Sequence, residues 1–285
     1  MATAQAVSSS RSWFKSLELV LGLLFAGGIA LVVLLSPVLF PDGGEGMDLM
    51  ARLTPPFQSW GHILGTDPLG RDVLARVAVG GKISLMVGFL SVLGAVTIGT
   101  LVGLVAGYYR GIAEMLLMRF ADIQLALPFI LVAIMFLAIL GAGIDKVILV
   151  MIATQWVQYA RLVRGSVLAM REREFILSAR AIGVGNGRII FTHILPNVLG
   201  PIIILMTLQV ANNILLESSL TFLGLGVDPL IPSWGGMLAD GRTYLQTAWW
   251  VSVFPGLAIM FTVLALNLLG DWLRDLLDPT GQTSK

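Results

Sequence analysis

Six stretches of this chain are long and apolar enough to be weighed as membrane crossings, and that pattern constrains the fold more than any other feature. A crossing of the hydrocarbon core takes about 20 largely apolar residues. The qualifying runs lie at roughly 17–40, 83–107, 123–140, 147–160, 198–223 and 249–269. The fourth is short and includes Gln155 and Gln158, so it is expected to continue to Arg164, whose long side chain can carry its charge to the interface. Backbone groups in lipid must bond within their own segment, which makes these runs helices. The alternating segments of about ten residues that build a barrel are missing. The expected fold is all-α and integral to the membrane, with six transmembrane helices.

Composition agrees. Of 285 residues, 56% are hydrophobic and 12% charged, with a mean hydropathy of +0.89. An ordinary soluble domain carries about 25% charged residues. High hydrophobicity with low net charge excludes intrinsic disorder. Eighteen basic against 17 acidic residues leave a net charge of +1, without the basic field that nucleic acid requires. The absence of cysteine removes disulfides, thiolate metal sites and cysteine nucleophiles together. His62 and His193 are the only histidines and lie far apart, so no metal site and no cofactor are expected on this chain.

Basic residues set the expected orientation. With the amino terminus inside, roughly two thirds of the 18 basic residues fall on cytoplasmic segments, from Arg11 and Lys15 through Arg161 and Arg188 to Arg274 and Lys285. The outer side keeps Arg52, Arg71, Arg76, Lys82, Lys146 and Arg242. An even number of crossings then puts both termini in the cytoplasm. The first run exceeds a signal-peptide core and ends in SPVLFPDGG without an A-x-A site, so it is expected to stay as an anchor. The expected organisation is a cytoplasmic segment 1–16, a first helix 17–40 and an extracytoplasmic loop 41–82 with an amphipathic helix starting near Asp67. A five-helix transmembrane domain 83–270, with an inner loop 165–196, and a cytoplasmic tail 271–285 follow. The inner loop reads as short helix, glycine-rich bend, second helix.

No ATP-binding loop is present. The only Gly-Lys pair, Gly81-Lys82, is followed by Ile83, and Arg76 stands where the loop's first glycine belongs. Gly183, Gly185 and Gly187 follow no strand and have the wrong spacing for a dinucleotide turn. Gly99, Gly103 and Gly107 form a doubled G-x-x-x-G, a small-residue face for close helix packing, within the chain or between subunits. Gln209, Asn213 and Glu217 recur at i, i+4 on one face of the fifth run. Polar groups at that depth face a cavity or another helix, so Asn213 and Glu217 are candidates either for lining a translocation path or for interhelical bonding. His193 is expected at a helix end and His62 alone in a loop, while Asp67 and Asp72 read as caps and solvated faces.

The inner loop carries a family signature. SARAIGVGNGRIIFTHILPN resembles the cytoplasmic loop of permeases of binding-protein-dependent ABC importers, whose general form is E-A-A, three residues, Gly, nine residues, I-x-L-P. Ala179, Gly183, Leu195 and Pro196 match. Leu177 and Ser178 replace the Glu and first Ala, and His193 replaces the Ile, in the manner of the peptide permeases. GTDPLGRDVLARV, MRFADIQLALP, ESSLTFLGLG, PSWGGML and the segment from AWWVSVFPG to LLDP extend the resemblance from about residue 65 to 279. Together they are similar to the second permease subunit of dipeptide and oligopeptide importers, a pattern shared with nickel permeases.

The resemblance implies a type I ABC importer permease fold and a function in ATP-driven uptake of peptides, or of nickel or another small solute. It implies a second homologous permease, two cytoplasmic ATPase subunits that hold ATP and magnesium, and an extracytoplasmic binding protein. It also makes the inner loop a coupling segment, with Ser178, Ala179, Arg180, Ile182 and Gly183 at the ATPase contact. An ion-coupled transporter or a channel is the reading of a different class; it would work without ATPase partners and often shows carboxylates in mid-span, for which Glu217 alone is thin support.

Overall fold

A computed structural model describes the backbone of residues 2–277 and the side chains of residues 17–277. The end of the expected tail, from residue 278 on, and the side chains of Arg11 and Lys15 lie outside the described residues. Among the described residues ten α-helices follow one another: α1 Ala2–Leu39, α2 Val73–Tyr109, α3 Gly111–Leu125, α4 Phe129–Leu140, α5 Ile144–Met170, α6 Glu174–Ala181, α7 Asn186–Arg188, α8 Leu195–Phe222, α9 Trp234–Gly241 and α10 Trp250–Leu277. A π-helical stretch, Ile189–Ile194, joins α7 to α8. Among the described residues, strand pairing is limited to one isolated bridge between Thr66 and Asp72.

Among the described residues, four uninterrupted helical runs are long and apolar enough to cross a membrane: Leu17–Leu39, Val73–Tyr109, Asn186–Phe222 and Trp250–Leu277. The third expected crossing is not one helix. α3 and α4 meet at 90° and make a fifth crossing only if the bent pair counts as one. The break falls at Pro128, which lacks an N–H and pushes the preceding residue out of helical geometry. α4 alone has 12 residues, about 18 Å of rise, too little to cross by itself. The fourth expected crossing lies inside α5, which has 27 residues but carries Gln155, Gln158, Arg161 and Arg164.

Two further expectations change. The helix expected near Asp67 starts at Val73 and continues without a break through the second crossing, because Asp72, rather than Asp67, caps it by accepting the Ala75 N–H at 2.8 Å. The inner loop expected over 165–196 is mostly helix. α5 runs on to Met170, and the second helix merges with the fifth crossing, leaving α6 and its flanking turns as the true connection. Pro196 offers no N–H to the carbonyl four residues back, and the Leu195 N–H reaches five back to the Ile190 carbonyl, which is the π-helical step.

The chain divides into two compact units. The first comprises the chain up to Phe89, Ala142–Val147 and the chain from Val210 onward. Here α1 packs along α10, where the Phe25 and Phe261 rings stack at 5.0 Å, and an apolar cluster of Val73, Met237, Trp250 and Val251 surrounds the start of α2. The second comprises Leu90–Gly141 and Ile148–Gln209. Its core joins Leu104 and Tyr108 of α2 to Val163 and Val167 of α5, Ile176 of α6, and Ile189 and Ile194 before α8. Many large apolar side chains face outward, including Leu24, Leu34, Leu131 and Ile139, as lipid-facing surfaces require.

Candidate functional site

The expected coupling residues gather on α6 and the turn that ends it, in the second unit. The Val184 N–H bonds the Ala179 carbonyl and the Gly183 N–H bonds the Arg180 carbonyl, both at 3.0 Å. This paired 6→1 and 5→2 closure needs a left-handed residue, and Gly183 takes φ +80°. A Cβ there would meet no atom within 4 Å, so glycine answers a backbone demand, not a steric one.

The five residues do not share one face. Ile176 and Ala179 are buried beneath α6, whereas Ile182 is 81% exposed and Phe175 and Leu177 are each nearly half exposed. Ser178 and Gly183 lie on the open side. Arg180 turns back into its own unit, its guanidinium 4.8 Å from the centre of the Tyr108 ring. α6 therefore presents apolar teeth around Ser178, fixed from below by its own core. Phe175, Leu177 and Tyr108 lie outside the motif spacing, although the alternation of buried and exposed apolar residues along α6 is visible in the sequence.

Glu217 lies in the first unit, fully enclosed. Ser84 of α2 donates to its Oε2 at 3.1 Å, Ser218 to the same oxygen at 3.4 Å, and Thr221 to Oε1 at 2.9 Å. The Ser84 hydroxyl also accepts the Trp234 N–H at 3.4 Å, which brings the start of α9 to the same centre. Close approach is possible because glycines stand at the crossings. A Cβ on Gly88 would lie 2.8 Å from Ile214 Cγ1, and one on Gly235 would lie 2.6 Å from Ser218 Cα. Asn213, one turn before Glu217, is also fully buried. Gln209 belongs to the second unit, where its amide donates to Gln158 at 2.6 Å.

The glycine stripe has its partner in the same chain. A Cβ on Gly99 would collide with the Trp156 carbonyl of α5, one on Gly103 would lie 2.6 Å from the Ala160 carbonyl, and one on Gly107 would lie 2.8 Å from Val167 Cβ. Among the described residues, no three histidine, aspartate or glutamate side chains are grouped to hold a metal ion.

Asp67 is not a solvated face. It is 1% exposed and receives the Leu69 N–H, the Arg71 N–H, Arg71 Nε at 2.6 Å and Arg76 Nη1 at 2.8 Å. This buried ion cluster folds the turn that leads into α2. His62 has a partner as well, its Nδ1 lying 3.0 Å from Asp72 Oδ2.

Residues 99–280 match the family model described as the binding-protein-dependent transport system inner membrane component. The chain is 44% identical over 278 residues to the dipeptide transport system permease protein DppC of Alkalihalophilus pseudofirmus, covering 96% of this chain and 91% of that one. It is 37% identical to the oligopeptide transport system permease protein OppC of Haemophilus influenzae, covering 95% and 87%. It is 45% identical to the glutathione transport system permease protein GsiD of Pectobacterium atrosepticum, covering 76% and 72%. A chain of the inward-facing MetNI methionine ABC transporter superposes with a TM-score of 0.58 at 17% identity, over 71% of this chain and 96% of that one. That likeness supports the fold. With matches extending over most of its length, this chain belongs to the binding-protein-dependent transport system inner membrane component family, the multi-pass inner-membrane permeases of ABC importers.

Proposed function

We propose that this permease carries peptides, drawing its energy from ATP and magnesium held by two partner ATPase subunits and pairing with a second homologous permease to enclose the path. An extracytoplasmic binding protein would deliver the cargo. The names of the relatives, which are dipeptide, oligopeptide and glutathione permeases, support the peptide class. Six crossings with both termini inside complete the reading. The bent α3–α4 pair supplies one crossing and α5 another, with Gln155 buried, Gln158 bonded to Gln209, and Arg161 and Arg164 paired with Asp122 and Glu114.

The observation that carries this reading is α6. A short helix with exposed Phe175, Leu177 and Ile182, held from below and closed at Gly183, is a firm apolar contact for a groove on another protein. Ser178, Ile182 and Gly183 would meet the ATPase directly, Ala179 would support them from the core, and Arg180 would hold the segment to its own chain. The bonding of Glu217 to three hydroxyls supports a bracing role for it, with buried Asn213 beside it, over direct contact with cargo. Purification of the tagged chain tests the reading. A second permease and two ATPases in fixed ratio support it, and their reproducible absence contradicts it.

A further inference from the structure

We infer that Tyr108, the penultimate residue of α2, is the positioning residue through which the coupling segment moves the transmembrane domain, an inference that rests on the coupling reading of α6. Three contacts of different chemistry converge on it from the start, middle and end of that segment. Arg171, in the turn after α5, donates Nη1 to the Tyr108 carbonyl at 2.9 Å. Arg180, in α6, lays its guanidinium over the Tyr108 ring at 4.8 Å. Asn186, at the start of α7, accepts the Tyr108 hydroxyl through Oδ1 at 2.8 Å.

The backbone explains why this residue is available. Arg110 and Gly111 both take positive φ, +57° and +63°, so α2 stops abruptly and its last carbonyls lack helical partners. Arg171 fills one of them. Tyr108 as a whole residue is 5% exposed, in the cluster that holds Leu104, Ile176, Ala179 and Ile189. The segment therefore cannot shift relative to α2 without breaking all three contacts and opening a packed core. Gly103 and Gly107 hold α2 against α5 at distances that leave no room for a Cβ, so these two helices take up a displacement together. The stroke of the ATPases enters the second unit through the end of α2, rather than through the chain connections of α6.

The test uses the complete importer in proteoliposomes, with its binding protein and labelled dialanine as probe, and reads dialanine taken up per ATP hydrolysed. Tyr108→Leu removes ring and hydroxyl and is expected to lower that ratio tenfold or more. Tyr108→Phe and Asn186→Ala each remove one hydrogen bond and are expected to lower it about fivefold. A merely structural loss lowers uptake and hydrolysis in proportion and leaves the ratio alone. Wild-type ratios in Tyr108→Leu complexes of normal subunit composition overturn the inference. If Tyr108→Leu fails to assemble, Asn186→Ala decides in the same way. A wild-type complex that neither holds ATPases nor takes up dialanine overturns the coupling or peptide reading beneath, a result distinct from normal wild-type uptake with unaffected variants.

Discussion

Two residues show how differently a polar and a nonpolar requirement can be met inside a membrane protein. Glu217 is enclosed, and its carboxylate is acceptable there because Ser84, Ser218 and Thr221 direct hydroxyls at it. Replacing it with leucine leaves the buried Ser84 and Thr221 hydroxyls without an acceptor, at about 1–3 kcal/mol each. Glu217→Leu should therefore lower the melting temperature of the detergent-solubilised protein by several degrees, while Glu217→Gln, which keeps one acceptor, should lower it less. A Glu217→Leu protein of wild-type stability but altered dialanine KM would instead place the carboxylate against cargo. Gly183 works through backbone alone. Any side chain at φ +80° is strained by about 1–2 kcal/mol, and the closing turn of α6 would loosen. Gly183→Val should abolish dialanine uptake without loss of membrane insertion, as measured in vesicles carrying normal amounts of the subunit. Normal uptake would contradict the assigned role.

At the scale of elements, close helix approach depends on where a Cβ would fall. Gly103→Ala puts that atom 2.6 Å from the Ala160 carbonyl and should destabilise the α2–α5 pair by about 1–3 kcal/mol. The same substitution at Gly27, where a Cβ meets nothing within 4 Å, should be neutral or slightly stabilising through helix propensity. Equal melting temperatures for the two variants would contradict the packing account. The stripe of Gly99, Gly103 and Gly107 was legible in the sequence as a packing face because helical spacing is a local pattern, but its partner was not. The same limit explains Glu217, whose i, i+4 company marked it as special while Ser84, 133 residues away, carried no sign of the bond. Asp67, Arg71 and Arg76 looked like loop and helix-start charges, since nothing local distinguishes a buried ion cluster from a solvated one. Pro128 was readable as a helix breaker within the third apolar run. Hydropathy alone passed over it, because an average over about 20 residues does not register one missing N–H.

For the whole molecule, the long apolar runs and the SARAIGVGNG segment were legible because lipid demands a composition and the turn that closes α6 demands a glycine at one place. The charge balance has its meaning at this scale too. A chain with net charge +1 places six of its 18 basic residues between Arg161 and Arg188, around the segment proposed to meet the ATPase. Because the chain has no cysteine, a single introduced thiol reports without background. Thr243→Cys, in the turn after α9, should react with an impermeant maleimide added outside intact cells, as the proposed topology requires. The most direct test of the central claim is Ile182→Cys in the assembled importer, paired with single cysteines along the groove of the ATPase. A disulfide between the two chains under mild oxidation, whose yield changes when ATP is trapped in the ATPases, is the predicted result. Labelling of residue 182 from outside the cell, or no cross-link at any groove position in complexes of normal composition, would contradict the account.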